Sequence, residues 1–398
     1  MLLSSLIVII ALCLGAYLAF SKRLSKSSNW QAMVTPLASI MGSGFLVSAP
    51  LLGGVVGVNA VFCMGTLLVI AYGVGSVMRY NILHFEPIEN DKGHPQELAF
   101  LSRIILAAAY FISVTYYLQL LAAFLLKSFG IVNPFLANCI TTTLLLIIGG
   151  IGIWRGLGLL EKMEKYAVAL NLGMIGSLLF ALIVYNTQLA TQGSWTLPDI
   201  PSEISGNDIR ILLGLLIVVQ GFETSRYLGD AHPPEQRVKT MKWAQIIASL
   251  IYLLFISLAT VLFHDGMGAD VTAIIEMTGP VAVILPTLLV IAAIGSQFSA
   301  AVADNAGAGG LIGEITHHRI PLTYAYAFIL LITIALTWET NVNLIIVYAS
   351  RAFALFYLLQ SCLATILAKR NKDSKRALLF ASLTIICGLV FLIGAPAE

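Results

Sequence analysis

Long apolar runs recur along the whole of this 398-residue chain, and they constrain its fold more than any other feature. A run of about 20 apolar residues crosses the hydrocarbon of a bilayer as an α-helix, in which every backbone polar group is bonded internally. Charged residues make up 11% of the chain, whereas soluble domains carry about a quarter. The sequence therefore predicts an all-α integral membrane protein.

Length and flanking charge divide these runs into twelve predicted transmembrane helices. The predicted ranges are 2–20, 30–57, 59–85, 99–128, 132–154, 160–186, 209–229, 240–264, 279–313, 322–338, 342–368 and 376–395. When these helices alternate in direction, Lys and Arg residues collect in the connections on one side, with Lys127 and Arg210 as exceptions on the other. The positive-inside rule makes the basic side cytoplasmic.

The charge pattern also predicts the orientation of the two chain ends. Basic residues at 22–26 follow the first apolar run rather than precede it, which favours an uncleaved helix over a secretory signal. The N-terminus and the C-terminus are then both expected outside. Short loops on a compact chain favour the inner (plasma) membrane of a bacterium.

Two glycine-containing segments interrupt predicted helices at corresponding places in the two halves of the chain. The sequence Gly42-Ser-Gly44 lies within the second predicted helix, and Gly221 lies among polar residues within the seventh. Glycine costs about 1 kcal/mol relative to alanine inside a helix, so each segment invites local unwinding. Paired interrupted helices point to the binding site of a secondary transporter, and we predict two half-helices in each of these spans.

Ten helices remain when the first and the last are set aside, and they divide into two sets of five. The predicted units are an accessory helix and basic loop at 1–29, a first repeat at 30–186, an outer loop at 187–208, a second repeat at 209–370 and an accessory helix at 371–398. Because five is odd, the two repeats enter the membrane from opposite sides. This is an inverted-repeat plan, with the site near the midplane between the repeats.

Two short motifs, in this order, resemble the amino acid–polyamine–organocation (APC) permease superfamily. Gly42-Ser-Gly-Phe45 resembles the glycine-serine-glycine motif of the first core helix. Gly221-Phe-Glu223, followed by Gly229-Asp-Ala-His-Pro-Pro-Glu235, is similar to the sixth core helix and the acidic segment after it. The resemblance covers residues 30–370. It implies a leucine-transporter-type (LeuT-type) fold with five-plus-five inverted repeats, and transport by alternating access.

Two positions depart from that family pattern and bear on the coupling ion. Many family members that do not use sodium carry a lysine in the fifth core helix, whose ammonium takes the place of a sodium ion. Asn171 lies where that lysine would fall, and Asp304-Asn305 stands where the family has Ser-Arg in the eighth core helix. Sodium and the proton both remain open as coupling ions, and no other cofactor is expected.

The two glycine segments supply the predicted substrate site. Exposed N–H groups at the start of a half-helix suit a carboxylate, whereas the alternative is that these glycines only allow close helix packing. Phe222 is expected to cover the substrate, and Glu223 to pair with a cationic substrate, carry a proton or hold the unwound backbone. The predicted substrate-binding residues are Ser39, Gly42, Ser43, Gly44, Phe45, Tyr116, Gln220, Gly221, Phe222 and Glu223.

Uncharged oxygen groups predict a second, ion-binding site. Ser296 and Ser299 share a helix face, and their hydroxyls suit sodium together with carbonyls freed near the first glycine segment. The alternative is that each hydroxyl bonds its own helix backbone. The predicted ion-binding residues are Ala38, Met41, Asn171, Ser296 and Ser299. Asp304 and Arg351 add intramembrane charges to that of Glu223, and the candidate partners of Arg351 are these two acids or another one.

The sequence therefore predicts a secondary-active transporter, not an enzyme, that moves amino acids or related small organic solutes across a lipid bilayer. No GxxxxGK[ST] motif is present, so ATP is not expected to drive transport directly. The five cysteines lie singly in apolar runs and indicate neither a metal site nor a disulfide framework. No nucleic-acid partner is expected.

Two alternatives remain to this function. The nearer one is an inorganic-ion or proton-coupled carrier on the same fold, which needs additional acids or a thioether-and-acid set at the breaks. A non-transporting sensor or a membrane enzyme is the other, although an enzyme usually has clustered His, Asp or Glu residues or large loops that hold a site. Uptake into liposomes separates these classes.

Overall fold

The computed structural model describes residues 2–200, 202–229, 231–265, 267 and 270–397, without the side chains of Ser43, Arg155 and 158–165. This described part of the chain is helical and contains no β-strand, which confirms the predicted all-α class. The α-helices are α1 (Leu2–Phe20), α2 (Lys22–Ser25), α3 (Ser28–Val56), α4 (Ala60–His84), α5 (His94–Ser128), α6 (Pro134–Arg155), α7 (Gly158–Thr191), α8 (Gly206–Gly214), α9 (Pro234–Ala259), α10 (Ile274–Met277), α11 (Leu285–Ile315), α12 (Leu322–Glu339), α13 (Val342–Arg370) and α14 (Ser374–Ile393).

Ten stretches of the described chain are long and apolar enough to cross a membrane. One of them, Ser28–His84, contains both α3 and α4, which a 3₁₀ turn at Gly57–Asn59 separates. The nine-residue α8 is not among the ten, because a helical span needs about 20 residues. The chain is an integral membrane protein, and the number of twelve crossings stays a prediction.

Polar side chains in the connections cap the first turns of several helices. Ser27 accepts a hydrogen bond from the backbone N–H of Trp30, and Asn133 accepts one from that of Leu136. At the start of α8 a capping box joins Ser205 and Asp208. The caps satisfy N–H groups that the helix itself leaves unpaired, so they help to set where α3, α6 and α8 begin.

The chain is broken after α8, as the sequence predicts at Gly221. Two 3₁₀ turns cover Leu216–Val219 and Phe222–Leu228. Between them the backbone of Gln220 is extended, and Gly221 has a φ of 117°, a value that residues with a Cβ rarely adopt. We call residues 215–229 the broken segment. Its backbone lacks the regular α-helical bonds, so its polar groups need other partners.

The predicted break at Gly42 is wrong, because α3 runs without interruption from Ser28 to Val56. The glycines of this helix provide space rather than unwinding. A Cβ added at Gly44 would lie 2.6 Å from the Cα of Val218, so α3 approaches the broken segment closely. A continuous helix keeps its backbone hydrogen bonds, and their loss in hydrocarbon costs more than the roughly 1 kcal/mol of each glycine.

The helices around the candidate site lie at the centre of the bundle. α5 packs along α11 and α13, while α3 packs along α9 and the broken segment. α1 packs along α7 at small residues, since a Cβ added at Gly173 would lie 2.6 Å from the carbonyl oxygen of Ala11. The N-terminal helix therefore covers one face of the helix that carries Asn171.

Candidate functional site

A cavity of about 1200 Å³ lies between α3, α5, α7, α11 and the broken segment. Its lining includes Ser39 and Gly42 from α3, Asn171 from α7 and Ser296 from α11. At the other end it reaches Glu314 near the end of α11, so the cavity follows this helix for about 27 Å. The volume is sufficient for a small organic molecule.

Polar groups from α3, α7 and α11 meet at the end of the cavity next to Gly42. The amide of Asn171 donates to the Oγ of Ser296 at 3.4 Å, and this Oγ lies 3.5 Å from the carbonyl oxygen of Gly42. The Nε2 of Gln297 donates to the same carbonyl at 3.1 Å. Ser296 thus bonds outside its own helix. The cluster presents amide, hydroxyl and carbonyl oxygens, which are the ligands that hard cations prefer.

A carboxylate lies in the middle of the cavity wall. Asp304 of α11 is 8% exposed, and the hydroxyl of Ser113 on α5 donates to its Oδ2. Tyr110, one turn from Ser113, also lines the cavity. Its ring packs against Gly307, where an added Cβ would lie 3.0 Å from a ring carbon. Asp304 is therefore a nearly buried acid at the edge of a space that is large enough for a ligand.

Glu223 holds the backbone of the broken segment. Its Oε2 accepts a hydrogen bond from the N–H of Gly221 at 3.0 Å and one from the hydroxyl of Tyr357 at 2.7 Å. The side chain of Phe222 stacks on the Tyr357 ring, with centroids 5.4 Å apart. Glu223 is 1% exposed and is not part of the described cavity lining. Of the three roles that the sequence leaves open, these contacts favour the structural one.

An aromatic group joins α3, α9 and the broken segment at the level of the break. The hydroxyl of Tyr252 on α9 lies 2.6 Å from the carbonyl oxygen of Val218 and 3.0 Å from that of Ile40. The ring of Phe45 packs on those of Tyr252 and Phe255, with centroids 5.3 and 4.4 Å apart. Phe45 therefore lies in a packed core and is not part of the described cavity lining.

Charged residues at the mouth of the cavity pair with one another. Arg103 lies 2.5 Å from Glu89, and Arg226 lies 3.7 Å from the same carboxylate. Arg237 donates to both oxygens of Glu86, at 2.9 and 2.6 Å. These pairs connect the α4–α5 connection with α5, α9 and the broken segment. A change in the position of the broken segment must therefore rearrange them.

The structure brings some of the predicted site residues together at the cavity and leaves others in the packed core. Those on the lining are Ala38, Ser39, Gly42, Asn171, Ser296, Ser299 and Asp304. Those buried away from the described lining are Met41, Gly44, Phe45, Tyr116, Gln220, Gly221, Phe222 and Glu223. The side chain of Ser43 lies outside the described residues. The two sets are adjacent, since a Cβ added at Gly221 would lie 2.5 Å from the Oγ of Ser39.

The partner of Arg351 is a carbonyl group rather than the acid that the sequence suggests. Its Nε and one terminal nitrogen donate to the carbonyl oxygen of Gly394 at 3.1 and 2.6 Å. A helix end supplies such an oxygen because its last carbonyls have no partner within the helix. No described acid thus neutralises the charge of Arg351, but two of its N–H donor groups are hydrogen-bonded to this carbonyl.

Sequence reasoning missed several polar residues that hold the site together, among them Ser113, Tyr252, Gln297 and Tyr357. All four lie within predicted spans, where a buried polar group needs a partner. That signal was present in the sequence. It does not name the partner, which lies on another helix or in the broken segment in each case.

Comparisons with known proteins agree with this arrangement. An uncharacterized protein of Aquifex aeolicus (strain VF5) is 42% identical over 393 residues, which are 96% of this chain and 95% of that protein. Among solved structures, a single-residue mutant of a manganese transporter of Eremococcus coleocola matches with a TM-score of 0.62 and 14% identity over 94% of this chain and 87% of that chain. The same transporter, in complex with an aromatic bis-isothiourea substituted compound, matches with a TM-score of 0.60 and 13% identity over 94% of this chain and 88% of that one.

The structural matches show a shared membrane-transporter fold. Their sequence identity is too low for the substrate of those proteins to be inferred for this one. The family assignment rests on the sequence. A family model described as an APC superfamily transporter matches residues 22–394, nearly the whole chain. With a helical bundle of membrane-spanning length around a polar cavity, this chain belongs to the APC superfamily of transporters.

Proposed function

We propose that this protein is a secondary-active transporter of amino acids or related small organic solutes, and that it works by alternating access. The observation that carries the proposal is the cavity of about 1200 Å³ beside the broken segment. A solute in this space contacts α3 and α11 and lies beside Ser39, which packs against Gly221 of the broken segment. A solute bound there stabilises one position of the broken segment relative to α3.

We further propose twelve membrane crossings in the LeuT-type arrangement, with α3–α7 as one repeat and the region from α8 to α13 as the other. In this plan α1 precedes the core and α14 follows it. The equivalent helices α4 and α9 pack against each other, and so do α3 and the broken segment. Contact between equivalent elements is what an axis of pseudo-symmetry at the centre of the bundle requires. Superposing the repeats after a rotation of about 180° tests the plan.

We propose that the cavity opens to the cytoplasm, in a bacterial inner membrane, with both chain ends outside. The mouth of the cavity is formed in part by Glu86 and Glu89 after α4 and by His317 and His318 after α11. Both connections lie on the side where the Lys and Arg residues collect. The structure then represents an inward-facing state. Labelling of cysteines introduced at these connections, from one side of the membrane, tests the orientation.

Coupling to sodium is the part of the proposal that rests on the polar cluster at Gly42. Asn171, Ser296 and the Gly42 carbonyl provide neutral oxygen groups at the end of the cavity. Ser299 and Ala38 are on the same lining, whereas Met41 is buried away from it. Neutral oxygens suit a monovalent cation that enters and leaves during each cycle. A proton carried by an acid remains the competing means of coupling.

The alternative of an inorganic-ion carrier is tested in the same experiment, because the structural matches are manganese transporters. The purified protein is reconstituted into liposomes under a sodium gradient, a proton gradient or neither. Uptake of a labelled amino-acid panel and of Mn²⁺ is compared with uptake by protein-free liposomes. We expect gradient-dependent accumulation of at least one organic solute. Accumulation of Mn²⁺ alone would replace the proposal by its alternative, and uptake of neither would contradict both.

A further inference from the structure

The connection between α13 and α14 is strongly basic. Residues 369–376, which we call the basic turn, contain five basic residues and one acid. Other connections that we place on the same side of the membrane hold more acids, as at 86–97, where four acids accompany one lysine. The positive-inside rule accounts for basic residues on this side, but not for the positions that they occupy within the turn.

Other side chains of the basic turn fix it onto α4. The amide of Asn371 donates to the hydroxyl of Tyr80 at 3.0 Å, and the guanidinium of Arg376 lies 5.5 Å from the centre of the same ring. Asp373, the acid of the turn, accepts a hydrogen bond from the backbone N–H of Arg376 at 3.1 Å and lies 3.4 Å from its Nε. The acid is therefore used within the turn, and the backbone that carries the neighbouring lysines is held in place.

Two lysines of the basic turn lie at positions that disfavour them, unlike Lys369 and Arg370, which the helix dipole favours in the last turn of α13. Lys372 has a φ of 57°, in the left-handed region where a residue with a Cβ is strained and glycine is usual. Lys375 is the second residue of α14, where the positive end of the dipole repels a cation. Both side chains are exposed, and neither pairs with an acid among the described residues. Since neither the dipole nor a described acid compensates these two cations, the turn is suited to a bound anion.

The place of the basic turn in the fold indicates which anion it suits. Both α13 and α14 are stretches of membrane-spanning length, so the short turn between them lies at the membrane surface. Leu378 and Leu379 follow Lys375 by three and four residues and are exposed, which places them on its side of α14. A ligand held by the lysines therefore has an apolar surface next to its charge, as the headgroup and acyl chain of a phospholipid require.

We propose that the basic turn binds an acidic phospholipid, with the phosphate at Lys372 and Lys375 and an acyl chain along Leu378 and Leu379. Phosphate oxygens accept charge-assisted hydrogen bonds from ammonium groups, and lysines beside a spanning helix attract acidic lipids. A soluble phosphate shares the chemistry of the headgroup but leaves the leucines unused, so the leucines favour the lipid. The inference goes beyond the proposed function and does not depend on which solute is transported.

Native mass spectrometry of the purified full chain in detergent measures lipid binding directly. Dioleoylphosphatidylglycerol, which is acidic, is compared with dioleoylphosphatidylcholine, which has the same acyl chains and no net charge. The measurement is repeated with the double variant Lys372→Gln/Lys375→Gln. The matched control is Lys22→Gln/Lys26→Gln, which removes two exposed lysines from the connection between α1 and α3. Inorganic phosphate and glycerol phosphate are added as competitors, because they carry the anion without acyl chains.

We expect the wild-type protein to bind phosphatidylglycerol about tenfold more tightly than phosphatidylcholine or better, since each lysine near an acidic lipid contributes a factor of about five. The Lys372→Gln/Lys375→Gln protein is expected to reduce that preference to below about threefold, whereas the control keeps it. An unchanged preference in the double variant would overturn the inference, as would equal binding of the two lipids by the wild-type protein or an equal loss in the control. Displacement of the lipid by an equimolar soluble phosphate would also overturn it, because the anion alone is then the ligand.

Lys372→Gly separates lipid binding from the fold of the turn. Glycine removes the charge and adopts a φ of 57° without strain. The variant is therefore expected to melt at the wild-type temperature or above it in phosphatidylcholine, and yet to bind phosphatidylglycerol about fivefold more weakly. A Lys372→Gly protein that binds phosphatidylglycerol as the wild-type protein does would overturn the inference, whatever its melting temperature. This arm and the wild-type comparison stay decisive if the double variant does not fold.

Discussion

Gly44 of α3 lies directly against the backbone of Val218 in the broken segment. A Cβ added at Gly44 would come within 2.6 Å of the Val218 Cα and 2.7 Å of its Cγ1, distances that real side chains do not show. This close approach brings the carbonyl groups of Ile40 and Val218 within reach of one hydroxyl, that of Tyr252. The two glycine-containing segments therefore meet, but Gly44 serves the contact by its lack of a side chain.

Gly44→Ala is expected to destabilise the protein by about 1–3 kcal/mol, because α3 or the broken segment must move to make room. Gly150→Ala in α6 is the matched control, since nothing lies within 4 Å of its added Cβ. Thermal unfolding of both variants in the same detergent measures the difference. If Gly44→Ala melts normally and instead loses solute affinity tenfold, the residue belongs to the binding site and not to the packing.

Glu223→Gln is expected to support transport, whereas Glu223→Ala is expected to lose about 1–3 kcal/mol of stability. Glutamine keeps an oxygen for the N–H of Gly221 and the hydroxyl of Tyr357. Alanine leaves the N–H of Gly221 without this acceptor and leaves the Tyr357 hydroxyl with the longer contact to the Oε1 of Gln220, at 3.3 Å. Melting temperature and uptake at several pH values, with the sodium gradient held constant, separate the two variants. A Glu223→Gln protein that folds normally but no longer responds to a proton gradient would identify Glu223 as a proton carrier.

Asn171→Ala and Ser296→Ala are each expected to raise the sodium concentration for half-maximal uptake about tenfold, which corresponds to about 1.4 kcal/mol. The two side chains bond each other, and Ser296 also reaches the Gly42 carbonyl. Ser177→Ala is the control, because the Ser177 hydroxyl bonds the Met174 carbonyl of its own helix. Uptake that continues unchanged when choline replaces sodium would remove sodium from the mechanism.

Arg351→Met is expected to cost about 1–3 kcal/mol, because the carbonyl of Gly394 loses two donors while the apolar part of the side chain is kept. Lys369→Met, at the exposed end of α13, is the control for loss of a positive charge. Hydrogen exchange at residues 391–397 measures the effect locally. Equal protection in the two variants would show that the Arg351 contact does not hold this end of the chain.

The contrast between Gly42 and Gly221 shows how far the sequence predicts this fold. Glycine has two uses: it permits a positive φ, and it lets another backbone approach. Gly221 serves both uses, with its φ of 117° and its contact with Ser39. In α3 glycine only lets another backbone approach, and the helix continues through Gly42 without a positive φ. The sequence marks both glycines in the same way, because which use applies depends on the element packed against them.

The candidate site shows the same division between local and distant information. Periodicity and charge predict which residues lie within spans. The predicted ion site includes both Asn171 and Ser296, and the structure places these two side chains in contact, whereas the ion itself stays a prediction. Their contact joins positions 125 residues apart. No local sequence pattern predicts this proximity, and the prediction depends on the resemblance to a known fold. The partner of Asp304 was not predicted, since Ser113 is an ordinary serine of an apolar helix until α5 and α11 pack.

The last described residues of the chain fasten α8 to two other helices. The N–H of Ala395 donates to the carbonyl oxygen of Arg210 at 2.9 Å, and a Cβ added at Gly214 would lie 2.2 Å from the Ala395 carbonyl oxygen. Arg351 on α13 holds the neighbouring Gly394. Any tilt of α8 must therefore break these contacts or carry α14 with it. In the proposed transport cycle, α14 lies outside both proposed repeats and yet resists part of the movement that would open the cavity to the other side.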